Sequence, residues 1–240
     1  MDIINAGNII MNTYVYSSSK GYIMIDTGYE HRLKDVESKL DRKGIKLSDI
    51  KYVFLSHAHD DHAGFLNELL SKNTDLKVIM SDKSMLTLKR GQNSFEGGCS
   101  MGIAWIFCKF MGLVGKAEHR FPVVEDKYDD RFMEITEANK AELEEILQGK
   151  ILFTPGHTAD SISLKVGNVI FCGDAAMNDF PSIKRLSIWI EDKIDFEKSW
   201  DMLLAEDADT IYPAHGRPFS KYDLAKYKKY ISKIRLRKLK

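Results

Sequence analysis

Apolar and polar positions along the chain fall into short blocks that match either strands or helices. Asn12 to Ser17 and Gly21 to Asp26 are β-type runs that read as a hairpin across Ser18-Ser19-Lys20. Leu33, Val36 and Leu40 recur at helical spacing, and Gly44 closes that helix. Lys51 to Leu55 and Lys77 to Met80 are strands, with a helix between them starting near Gly64. Thr136 is placed to cap a helix carrying Leu143, Ile146 and Leu147 that stops at Gly149. Ser161 to Val166 and Val169 to Cys172 form a second hairpin over Gly167-Asn168. Asp195 is placed to cap a helix through Phe196, Trp200, Leu203 and Leu204. Both halves run from a hairpin to strands ending in histidines, the order of a pseudo-repeat without a residue-level repeat.

Two stretches depart from that plan. Residues 81 to 125 read as a helical insertion rich in Met and broad aromatics, among them Trp105 and Phe107. It is either an internal helix covering a sheet or a lid whose Trp105 and Phe107 touch an apolar substrate. A dimer contact or a membrane-facing loop is a third reading. The tail from Lys221 to Lys240 holds nine basic residues and one acid, Asp223, with Leu224, Tyr227, Ile231 and Ile234 in a helical stripe. It reads as a basic C-terminal helix over about 220–240, solvated outside and packed by that stripe. Attachment to anionic lipid or RNA is the alternative.

The chain's 240 residues fit a single large α/β domain spanning 1–240. Thirty-five basic and 35 acidic residues cancel, so no overall field recruits nucleic acid. Cys99, Cys108 and Cys172 are an odd number at no disulfide or metal spacing, which favours reduced thiols and a cytoplasmic location. No basic segment precedes an apolar one near Met1, so no signal peptide is expected. No transmembrane segment is expected either, because the longest apolar stretch, 99–115, is interrupted by Lys109 and glycines.

The densest chemistry lies directly after the strand Lys51–Leu55. His57-Ala58-His59-Asp60-Asp61-His62 places three imidazoles and a carboxylate where a turn can converge them on neighbouring metal ions. Nitrogen and oxygen donors without a nearby cysteine suit zinc, iron or manganese. Three later strands repeat one design. Lys150–Thr154 leads to Pro155-Gly156-His157-Thr158, Val169–Cys172 to Gly173-Asp174, and Thr210–Tyr212 to Pro213-Ala214-His215-Gly216. Each delivers one ligand-type side chain at its C-terminal edge, beside a glycine that permits close approach. His31 and His119 read as ordinary surface histidines.

On these motifs the chain resembles the metallo-β-lactamase superfamily. The His-x-His-x-Asp-His pattern matches His57, His59, Asp61 and His62, and the later His, Asp and His match His157, Asp174 and His215 in order. Asp26, in Ile25-Asp26-Thr27-Gly28, matches the family's early aspartate, and the likeness runs from about residue 12 to 218. The resemblance implies an αββα four-layer sandwich, two β-sheets face to face with helices outside, and a binuclear site at one edge. One ion would take His57, His59 and His157, the other Asp61, His62 and His215, with Asp174 bridging them. Asp174 resembles the glyoxalase II and lactonase pattern, although only Arg217 to Lys240 follow the last motif, too few for a glutathione-binding helical domain. His59 and the lack of a fused flavodoxin argue against the flavodiiron branch.

Two divalent ions, zinc first and iron or manganese as alternatives, would acidify a shared water to hydroxide and polarise a substrate carbonyl. Asp61 is the expected catalytic residue, orienting the nucleophile and accepting its proton. Asp26, Ser56 and Thr158 are expected to fix imidazole tautomers. Lys184 and Arg185, some ten residues beyond Asp174, are candidates to hold a substrate carboxylate. The reading is a binuclear metal-dependent hydrolase of a small ester, thioester or lactone, with no nucleic-acid partner. Rival readings are an iron-dependent sulfur or oxygen oxidoreductase, a phosphodiesterase or nuclease, and a non-catalytic metal-binding sensor.

Overall fold

The computed structural model describes residues 1–115 and 117–239. In chain order the first elements are β1 (Ile3–Asn5), β2 (Tyr14–Ser18), β3 (Gly21–Ile25), α1 (Leu33–Asp41) and β4 (Ile50–Phe54). Next come α2 (Asp60–Ala63), α3 (Leu66–Lys72), β5 (Lys77–Ser81), α4 (Ser84–Arg90), β6 (Gly98–Cys99) and α5 (Gly102–Leu113). Then follow β7 (Phe132–Ile135), α6 (Lys140–Leu147), β8 (Lys150–Phe153), β9 (Ile162–Val166), β10 (Val169–Gly173) and β11 (Trp189–Ile190). The chain ends with α7 (Lys193–Ala205), β12 (Thr210–Pro213), β13 (Phe219–Ser220) and α8 (Tyr222–Tyr227). These divide into two compact units, Met1–Asn93 with Arg120–Lys150, and Ser94–His119 with Ile151–Lys240.

The first unit is built on a six-stranded sheet in the order β1-β2-β3-β4-β5-β7. β1, β2 and β3 are antiparallel neighbours, and β4, β5 and β7 continue in parallel. Ser19-Lys20 forms the hairpin turn that the alternation predicts. The central strands are buried along most of their length, as their Val, Ile and Met content requires of parallel strands. α1 buries Leu33, Val36 and Leu40, the same helical stripe read from the sequence. β7 was not legible, because Phe132-Met-Glu-Ile135 is too short to show a period. Thr136 opens a turn rather than capping α6. Its N–H donates to Asn139 Oδ1 at 2.8 Å, and the helix starts after Asn139. The helix also ends one residue early, at Gln148, which takes the left-handed conformation with φ 50°. On β2, Tyr16 donates its hydroxyl to the Leu147 carbonyl at 2.7 Å, and burial pushes its phenol well above the ordinary value.

The second unit carries a five-stranded sheet, β13-β12-β10-β9-β8, and a small pair, β11-β6. β9 and β10 form the hairpin over Gly167-Asn168, and β12 runs parallel to β10. Phe196, Trp200 and Leu203 of α7 are buried in a core separate from that of the first unit. The cap of α7 is Asp192, not Asp195. Its carboxylate accepts from the N–H groups of Ile194 at 2.7 Å and Asp195 at 2.9 Å, which leaves Asp195 inside the first turn. The tail is not one helix. α8 passes into a 3-10 turn over Lys228–Lys233, and Arg237 then exchanges backbone hydrogen bonds with Cys99, both at 3.0 Å. The stretch 81–125 is likewise divided, α4 belonging to the first unit and α5 to the second. Among the described residues no helix is long and apolar enough to cross a membrane.

Candidate metal centre

In the first unit the candidate ligand residues are gathered by the end of β4. The chain leaves the sheet after Phe54, bends at Ser56, and turns into α2 from an extended His59, whose carbonyl accepts from the N–H groups of His62 and Ala63. This turn brings the His57 ring within 4.6 Å of His59 and 3.9 Å of His62, centroid to centroid. All three imidazoles are buried. Asp61 is only partly covered and places Oδ1 3.7 Å from His62 Nε2.

Asp26 and Ser56 decide which ring nitrogens carry protons. Asp26 accepts from the Ser56 N–H at 2.6 Å and from its hydroxyl at 2.8 Å. The same carboxylate meets His62 Nδ1 at 2.9 Å. A carboxylate can only accept, so His62 Nδ1 is the protonated nitrogen and Nε2 bears the lone pair. With its one proton committed to Asp26, Ser56 Oγ accepts from His57 Nδ1 at 3.1 Å, which sets the same tautomer there. Asp26 does this from left-handed backbone, φ 56°, a conformation aspartate tolerates better than most residues.

In the second unit three loops carry His157, Asp174 and His215, and they interlock. Asn178 donates its N–H to the His215 carbonyl at 2.8 Å, and Ala214 donates to the Gly173 carbonyl at 3.0 Å. Ser199 of α7 donates to the Pro155 carbonyl at 2.6 Å, and Trp200 Nε1 donates to the Ala175 carbonyl at 2.7 Å. Two glycines make the turns feasible. Gly156 has φ +129°, and a Cβ there would strike the backbone of Phe196. Gly216 has φ +88°, and a Cβ there would strike the Asn178 carbonyl. His157 Nδ1 meets the Trp189 carbonyl at 2.8 Å, so Nδ1 is the donor and Nε2 faces Asp174. Beside this turn, burial raises the Glu191 carboxyl above its usual range although it accepts from the Ala159 N–H at 2.8 Å.

Each oxygen of Asp174 stands against a different imidazole. Oδ2 lies 3.5 Å from His157 Nε2, and Oδ1 lies 3.5 Å from His215 Nε2. These separations exceed a hydrogen bond. Two donors each about 2.1 Å from a tetrahedral ion stand about 3.4 Å apart, so the spacings suit shared ligation of a cation better than direct contact. The donors fit a divalent metal in chemistry also, since all are imidazole nitrogens or carboxylate oxygens.

Other residues read from the sequence fall elsewhere. Thr158 does not hold an imidazole: its hydroxyl bonds Ser161 Oγ at 2.7 Å and shapes the turn, while the Trp189 carbonyl meets His157. Arg185 is committed to Asp223 at 2.7 Å and to Asn178, with Phe219 beneath it, and Lys184 lies 3.5 Å over the Tyr230 ring. Trp105 and Phe107 are half-buried on α5, with Trp105 Nε1 donating to the Lys238 carbonyl at 3.0 Å. Sequence reading missed Asn93, which exchanges two hydrogen bonds with Asp60 and anchors the start of α2. It also missed Thr27, whose N–H and hydroxyl both donate to the His62 carbonyl. The Asp26-Thr27 pair in one motif was the available signal. Asn93 gave none.

Residues 7–215 match the model of the metallo-β-lactamase superfamily, and the chain belongs to that family. It is 26% identical over 219 residues to a probable metallo-hydrolase of Methanocaldococcus jannaschii, covering 86% of this chain and 91% of that one. It is 25% identical over 207 residues to a β-lactamase-like protein 2 homologue of Caenorhabditis elegans, covering 85% of this chain but 55% of the relative. The chain thus spans little more than half the length of that relative. A metallo-β-lactamase of Cronobacter sakazakii superposes with a TM-score of 0.66 at 20% identity, covering 96% of this chain and 89% of that one. An archaeal superfamily protein from Sulfolobus tokodaii does so at 0.63 and 21%, covering 95% and 84%. These likenesses show the fold, the α/β architecture of the family.

Proposed function

We propose that the chain is a binuclear metal-dependent hydrolase of a small ester, thioester or lactone. His57, His59 and His157 would hold one divalent cation, and Asp61, His62 and His215 a second, with Asp174 shared. The observation that carries this reading is Asp174, whose two oxygens each stand 3.5 Å from Nε2 of a different histidine. When bound, zinc, iron or manganese would supply Lewis acidity toward a carbonyl and toward water. The protein's part is then positional. Ser56 and Asp26 hold the Nε2 lone pairs of His57 and His62 in place, and the Trp189 carbonyl does the same for His157. Asp61, the least covered acid of the set, orients the attacking water and receives its proton. Lys184 binds a substrate carboxylate, while Arg185 serves to hold Asp223. Trp105 and Phe107 line substrate access. The odd cysteine count supports a reducing, cytoplasmic setting.

The test is metal analysis of protein purified without added ions, paired with a panel of ester, thioester, lactone and phosphodiester substrates. Two equivalents of metal and turnover of carboxylic substrates are expected. Turnover of the phosphodiester alone, or metal-dependent oxygen consumption without hydrolysis, would replace this reading.

A further inference from the structure

The helix α5 presents an apolar face to solvent. Ile106 is 64% exposed, Phe110 57% and Leu113 86%, and Ile103 and Val114 continue the same face, so that only Ala104 of the helix is buried. The spacing of 103, 106, 110 and 113 is one stripe of a helix. Contiguous apolar exposure of this kind marks an interaction surface.

Basic residues border the stripe and are joined to it physically. Trp105 Nε1 donates to the Lys238 carbonyl at 3.0 Å, Arg237 pairs with Cys99 at the start of the segment, and the Arg237 guanidinium lies beside Gly102. Lys109 projects from α5 itself, 5.4 Å over the Trp105 ring. Arg235, Arg237 and Lys238 are exposed. No acidic residue stands between Glu96 and Glu118, and none follows Asp223.

We infer that α5 and the C-terminal segment 235–238 form one docking surface for an anionic lipid bilayer. The stripe enters the boundary between headgroups and acyl chains, and Lys109, Arg235, Arg237 and Lys238 meet the phosphates. Charge complementarity selects this occupant. A two-fold contact with a second copy would set the same patch, including its cations, against itself, whereas anionic headgroups neutralise them.

Co-sedimentation of the full chain with phosphatidylcholine vesicles, with and without phosphatidylglycerol, tests the inference. The chain is expected to sediment with the anionic vesicles, less so as salt rises. Lys109→Gln, Arg237→Gln and Lys238→Gln should each lower the partition coefficient roughly fivefold. Ile106→Glu and Phe110→Glu should abolish it while the melting temperature stays near that of the wild type. The lysine and arginine variants leave the apolar face intact, so they test the inference even if the glutamates disturb folding. Equal sedimentation with neutral and anionic vesicles, or none with either, would overturn it. So would light scattering showing a dimer that Ile106→Glu splits.

Discussion

Asp26 Oδ2 lies 2.9 Å from His62 Nδ1, and the same carboxylate holds both polar groups of Ser56. One side chain on left-handed backbone therefore orients an imidazole it directly touches and, through Ser56, a second one, His57. Asp26→Asn keeps the size but removes the acceptor-only group. Metal affinity should fall about 10- to 100-fold, measured by competition with a chromophoric chelator. A His31→Ala control, on the surface, should not change it. An Asp26→Asn protein that binds metal as tightly as the wild type would remove Asp26 from the site.

The ligand set should respond unevenly to deletion. Asp174→Ala is expected to weaken both ions, because each carboxylate oxygen faces a different histidine. His59→Ala should empty one ion and spare the other. Elemental analysis after saturation reads this directly, and a wild type that never exceeds one equivalent would rule out the binuclear model.

Neighbouring cations should separate by their effects. Arg185→Ala strips Asp223 of a partner at 2.7 Å and should cost about 1–2 kcal/mol of stability, seen in chemical denaturation. Lys184→Ala should raise KM for carboxylate-bearing substrates with kcat unchanged. Were the two outcomes exchanged, the assignment of substrate contact would move to Arg185.

Tyr16 sets an alkaline limit on the first unit. Its folded pKa is raised by burial, so the unfolded chain releases the phenol proton before the folded one does. The stability this provides is complete below the unfolded value, about 10, and is lost as pH rises from there toward the folded value. Tyr16→Phe should be less stable at neutral pH, since the Leu147 carbonyl loses its donor, yet show a shallower decline above about pH 10. Parallel melting curves across that range would discount the phenol.

Trp105→Ala and Phe107→Ala should change KM or substrate preference and leave bound metal at the wild-type level. If both variants keep wild-type kinetics and lose only stability, α5 contributes packing and not access.

The candidate ligand residues stood out because each lies beyond an apolar run that could be read locally: His57 after Lys51–Leu55, Asp174 after Val169–Cys172. Hairpins with a short polar turn were equally plain. What escaped was set by partners far away in sequence. The last residues were expected to form one helix over about 220–240, but Arg237 is drawn into extended pairing with Cys99, which no local pattern encodes. Asp195 and Asp192 are both good caps three residues apart, and only the backbone at Asp192, φ −130° and ψ 118°, decided between them. Thr158 lost its expected role because a main-chain carbonyl, at Trp189, reached His157, and a carbonyl has no residue-type signature.

The pairing of β6 with β11 has a bearing on synthesis. Gly98–Cys99 and α5 leave the ribosome well before Trp189–Ile190, and before Arg237, which also pairs with Cys99. During that interval the nascent chain carries a short strand with no edge to join and a helix rich in exposed Ile, Phe and Leu. Premature termination between Lys150 and Trp189 would leave that strand unpaired permanently beside the apolar helix, a species prone to aggregation and chaperone capture.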